Sequence, residues 1–345
     1  MDTATLTAHK NDIVVQKFGG TSLGTTERIK RAASRISQTI KNGEIPVVVA
    51  SAMGGVTDRF VRLAELVNAD QYCNEYDVII SVGEQVSAGL IAAALADIGV
   101  KARSFLAWQL PIKVQSSSCG EPMPQTLHVD SKFIDECIAS GIVPVVAGFQ
   151  GITTSNRLIT LGRGGSDLTA VAIAAALSAK RCDIFTDVDG VYTADPRLAP
   201  KSHRIASLSY DLMLEMAAHG TKVLQGYSVE CAVKHGVLVN VASSFNNKPG
   251  TIVSGNVAEK TQSAIGITTM PYKGSQSKIS IIGYNIFCNA GISVAIEESM
   301  KPVGIDYTSV DGSKNRLSFL VDEQYTEVAL NKIHCACGLD VGLDG

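Results

Sequence analysis

The sequence predicts an α/β protein with an open, mainly parallel sheet flanked by helices, followed by a small α+β domain. Runs of Val and Ile without polar alternation recur between residues 13 and 255, which is typical of strands buried on both faces. Helical patterns separate these runs, and such alternation joins parallel strands through helical crossovers. From about residue 256 the order changes to a short βαββα series, which favours helices laid on an antiparallel sheet.

The predicted elements of the larger part alternate regularly. The first strand is "IVVQK" (residues 13–17), and the next helix has an apolar face of Ile29, Ala32, Ala33, Ile36 and Ile40. Later strands are expected at residues 46–50, 102–107, 142–149 and 181–188. Helices are expected from about residue 58, over 78–99, near 130–140 and near 167–177.

The C-terminal part begins with a polar, broken stretch and one short predicted strand at residues 264–270. After it the sequence predicts strands at 278–283, 303–310 and 316–321, and helices at 290–300 and 324–334. This change in character divides the chain into a larger domain, residues 10–258, and a smaller one, residues 259–345.

The composition allows a large core and argues against a nucleic-acid partner. Of 345 residues, 46% are hydrophobic and 18% are charged, and the formal net charge is −3 without any basic stripe. The first residues are polar and lack the apolar core of a signal peptide. The apolar run "LIAAALADIGV" is short and interrupted by Asp97, so no membrane-spanning segment is expected. These features predict a cytoplasmic protein.

The 8 cysteines are mostly scattered singly, which favours reduced thiols over a disulfide framework. Their one cluster is "HCAC" at residues 334–337, at the end of a helical pattern. Zinc binding is the alternative there, but no second pair of ligands follows at a suitable spacing. No metal ligand is therefore predicted among the side chains.

The most informative residues follow the predicted strands, where open α/β sheets bind ligands. Glycine-rich loops stand at 17–22 ("KFGGTS"), 51–58 ("SAMGGVTD") and 160–167 ("TLGRGGSD"), and two of them carry a basic side chain. Such loops let backbone N–H groups approach a phosphate closely, so they suggest a polyanion such as a nucleoside triphosphate. The G-x-x-x-x-G-K-[ST] and G-x-G-x-x-G signatures are absent, which argues against a P-loop enzyme and a dinucleotide dehydrogenase.

Each of these residues also has an ordinary structural interpretation. Ser166 and Asp167 could cap a helix, and Asp187 could belong to a turn before Gly190. Glu84 could face solvent on its helix. Only the combination of the loops favours a binding site.

The chain resembles the aspartate kinases (aspartokinases) in the order and spacing of "KFGGTS", "SAMGGVTD", "SVGE", "GFQG", "TLGRGGSD" and "TDVDGVYTADPR". That family has the amino-acid kinase fold, which it shares with acetylglutamate, glutamate 5-, uridylate and carbamate kinases. The resemblance covers residues 13–255 and, more loosely, 263–339. It implies transfer of the γ-phosphoryl group of MgATP to the side-chain carboxylate of L-aspartate, the entry to lysine, threonine and methionine biosynthesis.

The resemblance also implies the roles of particular residues. Lys17 and Asp167 would be catalytic, with Lys17 neutralising the transferred group and Asp167 orienting Lys17 or the metal-bound phosphates. The implied ATP site consists of Lys17, Gly19, Gly20, Thr186, Asp187, Tyr192, Arg197, Lys222 and Val223. The implied aspartate site consists of Ser51, Thr57, Glu84, Arg163, Gly164, Gly165 and Ser166. Within it Arg163 would bind a carboxylate and Glu84 the ammonium group, while the phosphates would hold most of the Mg²⁺ coordination.

The C-terminal part resembles an ACT domain, the module that senses end-product amino acids in these kinases, but one module of the usual pair is mostly missing. End-product inhibition by lysine or threonine is therefore expected to be weak or absent, and the exposed sheet edges favour a homo-oligomer. Gln225 and Gly226 also replace the family's usual His-Pro. The alternatives are a sibling kinase for another small acceptor and a catalytically silent amino-acid sensor. Retained Lys17, Asp167 and Arg197 favour an active enzyme.

Overall fold

The structure is a computed structural model that describes residues 12–69, 74–115, 126–257 and 264–341. The strands, in chain order, are β1 (Ile13–Phe18), β2 (Ile45–Ala50), β3 (Ala102–Phe105), β4 (Ile112–Gln115), β5 (Thr126–Val129), β6 (Val143–Ala147), β7 (Gln150–Ile152), β8 (Leu158–Thr160), β9 (Arg181–Thr186), β10 (Ser207–Ser209), β11 (Val239–Ser243), β12 (Thr251–Ser254), β13 (Ala264–Pro271), β14 (Gln276–Gly283), β15 (Thr308–Ser313) and β16 (Arg316–Asp322). The helices are α1 (Thr26–Lys41), α2 (Val56–Leu66), α3 (Asn74–Ile80), α4 (Val82–Asp97), α5 (Lys132–Ala139), α6 (Gly165–Leu177), α7 (Tyr210–Ala218), α8 (Gly226–His235), α9 (Ala290–Met300) and α10 (Thr326–Ala336).

The described residues form two compact units. The first contains those of Met1–Val188 and Glu230–Lys248, and the second contains those of Asp189–Val229 and Pro249–Gly345. The predicted domain division between residues 258 and 259 lies outside the described residues, and it stays a prediction.

The first unit is built on parallel strands in the order β11-β9-β1-β2-β6-β3. Successive side chains of a strand point to opposite faces, so neighbours on β1 serve different layers. Phe18 packs with α1 and α4 in a core of fully buried apolar side chains, whereas Lys17 faces α6. Helices therefore cover both faces, which confirms the predicted open parallel sheet.

A small second sheet of the first unit, in the order β5-β4-β7-β8, was not predicted from the sequence. Its strands are only three or four residues long. Strands this short give no usable alternation of apolar and polar residues. The sheet matters because β8 and the turn between β7 and β8 line the cleft described below.

The predicted long helix over residues 78–99 is in fact two helices, α3 and α4, separated at the buried Ser81. The stretch Glu75–Asp97 is long and apolar enough to cross a membrane by length and composition alone. Core helices of globular proteins pass the same test. Here Ala88, Ile91 and Leu95 are fully buried in the core against the sheet, so α4 is such a core helix.

The second unit contains the parallel pair β10 and β12 and an antiparallel sheet in the order β13-β14-β16-β15. One face of this sheet packs against α9 and α10 around Ile279, Phe319 and Ile333. The βαββα order predicted for the C-terminal part is confirmed. On the other face Arg316 pairs with Glu215 of α7 at 2.9 Å, so a charged contact joins α7 to the sheet.

Candidate active site

A cleft of about 1020 Å³ opens in the first unit, beyond the carboxyl ends of β1 and β2. All the residues predicted for catalysis and aspartate binding line it, together with Gly20 of the implied ATP site. The catalytic and aspartate-binding residues are Lys17, Ser51, Thr57, Glu84, Arg163, Gly164, Gly165, Ser166 and Asp167. The structure thus brings together side chains from loops that are far apart in the sequence.

Lys17 and Asp167 form a buried ion pair at the base of the cleft. Lys17 Nζ lies 2.6 Å from Asp167 Oδ1, and both residues are less than a tenth exposed. Asp167 lies in the first turn of α6, where the helix dipole favours a negative charge. Burying a lone ammonium group would be costly, so the carboxylate stabilises Lys17 where it faces the cleft. This contact agrees with one of the two roles expected for Asp167, that of orienting Lys17, and the catalytic roles of both residues stay predictions.

Glu84 is buried, not solvent-facing as its helical pattern allows. It lies in the first turn of α4 and is 4% exposed. At the preceding Gly83, an added Cβ would lie 2.6 Å from the Ala52 Cβ, so only glycine lets α4 start this close to the loop after β2. Burial raises the pKa of Glu84 to about 7, although a backbone hydrogen bond with Ala52 acts in the opposite direction.

One oxygen of this carboxylate is unused. Glu84 Oε2 is buried without a hydrogen-bond partner among the residues that the structure describes. A buried carboxylate oxygen without a partner is energetically costly, and a cationic ligand in the cleft would supply the missing interaction. Glu84 is therefore suited to bind an ammonium group.

The opposite requirement, for an anion, is met at the start of α6. Ser166 is buried within its first turn, where the helix dipole favours an anion, and the N–H groups on either side of it, those of Gly165 and Asp167, already donate to the Gly162 and Gly164 carbonyls at 3.0 Å. Arg163 lines the cleft from the preceding loop and is exposed. The cleft therefore offers both an acceptor for a cation and donors for an anion.

Several residues implied for ATP binding lie elsewhere in the two units. In the first unit, the Gly19 N–H already donates to the Phe185 carbonyl at 3.0 Å, so that donor is occupied within the fold. Thr186 Oγ1 donates to Asp187 Oδ1 at 3.1 Å directly after β9. The ATP-binding roles of these residues stay predictions.

The other implied ATP-binding residues belong to the second unit: Tyr192, Arg197, Lys222 and Val223. Arg197 pairs with the Asp195 carboxylate at 2.6 Å, and this hydrogen bonding lowers the pKa of Asp195. The loop that contains Tyr192 and Arg197 is fixed by the buried Thr193, whose hydroxyl lies 2.9 Å from His334 Nε2 and accepts the His203 N–H. Lys222 is exposed.

His334 of the "HCAC" cluster thus has a partner in Thr193. Cys335 is exposed and Cys337 is half-buried, and both are free thiols. Among the described residues, no three His, Cys, Asp or Glu side chains come together as metal ligands would.

Sequence reasoning missed the outer wall of the cleft. Tyr76 and Asp77 of α3 line it together with Arg157 and Thr160. Thr160 Oγ1 donates to Asp77 Oδ1 at 2.5 Å, and burial raises the pKa of Asp77. No motif marks this helix in the sequence, because its place depends on tertiary packing against β8.

The comparisons with known proteins agree with this geometry. Residues 12–243 match the amino acid kinase family. An aspartokinase from Geobacillus stearothermophilus is 33% identical over 399 aligned residues, which cover 95% of this chain and 97% of the relative. An aspartokinase from Thermus thermophilus is 38% identical over 328 residues, which cover 93% of this chain and 79% of the relative.

A solved structure of aspartokinase III from E. coli, in complex with aspartate and ADP, superposes with a TM-score of 0.78 at 21% sequence identity. The match covers 94% of this chain and 99% of that chain. At this identity the likeness shows a common fold. The Geobacillus alignment is longer than the 345 residues of this chain, so it includes positions that this chain lacks.

Proposed function

The chain belongs to the aspartokinases of the amino-acid kinase family and phosphorylates aspartate with ATP, and from this premise we propose that the cleft around Lys17 and Glu84 is the place of that reaction. The observation that carries the proposal is the buried Glu84 oxygen, which has no hydrogen-bond partner in the described part of the chain and lies beside a cleft that also holds a lysine. A free amino acid needs an anionic partner for its ammonium group and a cationic one for its carboxylates. This cleft offers both.

Phosphoryl transfer to a carboxylate requires little chemical activation by the protein. A carboxylate is already a nucleophile, so no general base is needed, and the main difficulty is to bring two anions together. Lys17 neutralises charge on the transferred phosphoryl group, and Asp167 holds the ammonium group of Lys17 in place. Glu84 binds the ammonium group of aspartate, and Arg163 binds a carboxylate, with Ser51 and Thr57 adding hydrogen bonds. The side-chain carboxylate of aspartate then receives the phosphoryl group to give 4-phospho-L-aspartate.

A magnesium ion accompanies ATP in this proposal, and the residues present fit it. The donor set facing the cleft includes carboxylates, which are hard oxygen ligands of the kind that Mg²⁺ prefers. Asp167 would orient the metal-bound phosphates, while the nucleotide phosphates would provide most of the Mg²⁺ ligands. When bound, the ion neutralises phosphate charge.

The proposed function is tested by a hydroxamate assay that traps the acyl phosphate, with a panel of amino acids and ATP. We expect hydroxamate with L-aspartate and little with N-acetylated or amidated analogues, because those lack the ammonium or the carboxylate that the cleft binds. ADP release must match hydroxamate formed. Equal activity with N-acetylaspartate would contradict the role of Glu84.

Arg163→Lys is expected to raise the KM for aspartate about tenfold or more while the KM for ATP changes little. Lysine lacks the planar fork of donors that binds a carboxylate through two hydrogen bonds, so the change is not conservative at such a site. Steady-state kinetics with each substrate varied in turn measure the two constants. If both constants rise equally, Arg163 contributes to nucleotide binding or to the scaffold instead.

The KM for aspartate is expected to rise as the pH falls below about 7. Glu84 in the ligand-free protein has a pKa of about 7, and only its ionised form attracts an ammonium group. Below this pKa the ionised fraction falls about tenfold for each pH unit, and the apparent affinity falls with it. KM values between pH 5.5 and 8.5 measure the effect. A KM that is flat over this range would show that Glu84 is not titrating.

End-product inhibition is expected to be weak, which is our proposal for the shortened C-terminal part. An effector acts through its different affinity for two states, and an incomplete site should couple less than the roughly 1–3 kcal/mol that is typical. Activity at limiting aspartate is measured with and without millimolar lysine, threonine or both. Inhibition of tenfold or more would contradict the proposal.

A homo-oligomer, expected from the sheet edges, is checked by light scattering.

A further inference from the structure

The segment after β6 that contains Phe149 and Gln150 connects the start of α4, which carries Glu84, to the start of α6, which follows Arg163. Phe149 has a φ of +67°, in the left-handed region that costs a non-glycine residue free energy. Its N–H donates to Thr169 Oγ1 of α6 at 3.2 Å, and its carbonyl accepts the Leu161 N–H at 2.9 Å. These bonds attach the segment to α6 and to the loop before it.

The preceding residue approaches α6 still more closely. A Cβ at Gly148 would lie 2.8 Å from both the Cβ and the Oγ of Ser166. Glycine is therefore required at this position if Ser166 is to stay in the first turn of α6. The segment 148–149 thus rests directly on the end of the helix that binds the anion.

By contrast, the side chain of Gln150 contacts the segment before α4. This side chain is fully buried, and Nε2 donates to the carbonyl of Ser81 at 2.9 Å. Ser81 separates α3 from α4 and stands three positions before Glu84. In the described parts of the chain, Gln150 Oε1 has no partner. The amide therefore has one hydrogen bond of its own, and that bond fixes the point where α4 begins.

We propose that Gln150 is a positioning residue that sets the distance between Glu84 and the anion-binding start of α6, and thereby favours aspartate over longer amino acids. This inference rests on the proposed function of the cleft. A substrate whose ammonium group is bound at the start of α4 presents its side-chain carboxylate towards the start of α6, so the spacing between the two helices selects the distance between these two groups of the substrate. One additional methylene group changes that length, and misplacement by about 1 Å can cost as much as a hundredfold in rate.

The alternative is that Gln150 only stabilises the fold, and the chain offers a matched control. Gln16 on β1 is also buried, donates through Nε2 to Thr39 Oγ1 at 2.9 Å, and has an Oε1 without a partner among the described residues. Its hydrogen bond ties β1 to α1, away from the cleft. Replacing either glutamine by methionine removes one buried hydrogen bond at nearly constant size.

The experiment compares wild type, Gln150→Met and Gln16→Met with aspartate and with glutamate as acceptors. For Gln150→Met we expect the KM for aspartate to rise about tenfold, the KM for ATP to stay within twofold, and the aspartate-to-glutamate ratio of kcat/KM to fall about fivefold or more. For Gln16→Met we expect a similar loss of Tm with neither kinetic change. Should Gln150→Met fail to fold, Gln150→Asn, which is too short to reach Ser81, takes its place.

The results distinguish a failure of the positioning role of Gln150 from a failure of the proposed function. If wild type phosphorylates aspartate but folded Gln150→Met keeps the wild-type preference, or if Gln16→Met shows the same loss of preference, the positioning role is wrong and the proposed function stands. If wild type does not phosphorylate aspartate, the proposed function itself fails.

Discussion

Lys17→Ala is expected to lower kcat about a hundredfold or more, because it removes a preorganised positive charge at the transferred phosphoryl group. The coupled ADP assay at saturating aspartate and ATP measures this loss. The same change leaves Asp167 as an unpaired buried charge, which typically costs about 3–5 kcal/mol of stability. A lower Tm is therefore part of the expected result, and circular dichroism must show that the variant is folded at the assay temperature.

The double variant Lys17→Met with Asp167→Asn separates the two effects. It removes both charges of the buried pair, so we expect stability to recover while activity stays low. Lys180→Ala is the matched control, since Lys180 pairs with Glu44 at 2.9 Å but its side chain is 53% exposed. It should keep wild-type turnover. Near-normal turnover by a folded Lys17 variant would falsify the catalytic role.

Glu84→Gln is expected to weaken aspartate binding strongly and to stabilise the protein at the same time. Loss of one partner of a buried charge pair costs about 2–5 kcal/mol of binding, which corresponds to a KM for aspartate raised about thirtyfold or more. Isothermal titration with aspartate and initial-rate kinetics measure this part. The KM for ATP should change little.

The gain in stability follows from the raised pKa of Glu84. Between about pH 4.5, the pKa in the unfolded chain, and about pH 7, the folded protein holds a proton that the unfolded chain has lost, so the free energy of unfolding falls as the pH rises. The accumulated penalty is about 3 kcal/mol above pH 7. Glutamine carries no charge and avoids it.

Thermal unfolding of Glu84→Gln should accordingly give a Tm several degrees above wild type at pH 8 and a nearly equal Tm at pH 4.5. Glu27→Gln is the control, because Glu27 is exposed in the first turn of α1 and hydrogen bonding lowers the pKa of this carboxyl. Glu27→Gln should show no increase in Tm over wild type at pH 8. A Glu84→Gln protein that is less stable than wild type at pH 8 would mean that the carboxylate is well solvated or paired in the folded state.

The parallel sheet could be predicted from the sequence because its strands are buried on both faces. Such strands are continuous apolar runs, as in β2 with residues 46–50, and β1 and β2 are each followed by a glycine-rich loop. The motifs also identified most of the cleft, because residues at the carboxyl ends of parallel strands meet at one edge of the sheet.

What the sequence could not predict depends on packing between distant segments. The burial of Glu84 follows from the contact of Gly83 with Ala52, which no local pattern reveals. Asp77 lies on a helix without a motif, and its place in the cleft wall follows from the hydrogen bond that Thr160 donates to it. The hydrogen bond from the Gly19 N–H to the Phe185 carbonyl likewise forms only because β1 and β9 are neighbours in the sheet.

The hydrogen bond between Thr193 and His334 determines where the chain could be shortened. Besides His334, helix α10 supplies Asn331, whose amide donates to the Leu198 carbonyl at 2.7 Å. Truncation before residue 326 would remove both partners and leave the fully buried Thr193 hydroxyl without His334. The last helix and the loop that bears Arg197 therefore belong to one cooperative folding unit. If a protease removed α10, the loop that bears Arg197 would lose the hydrogen bonds that hold it. The C-terminal part is therefore needed for the structure of this loop.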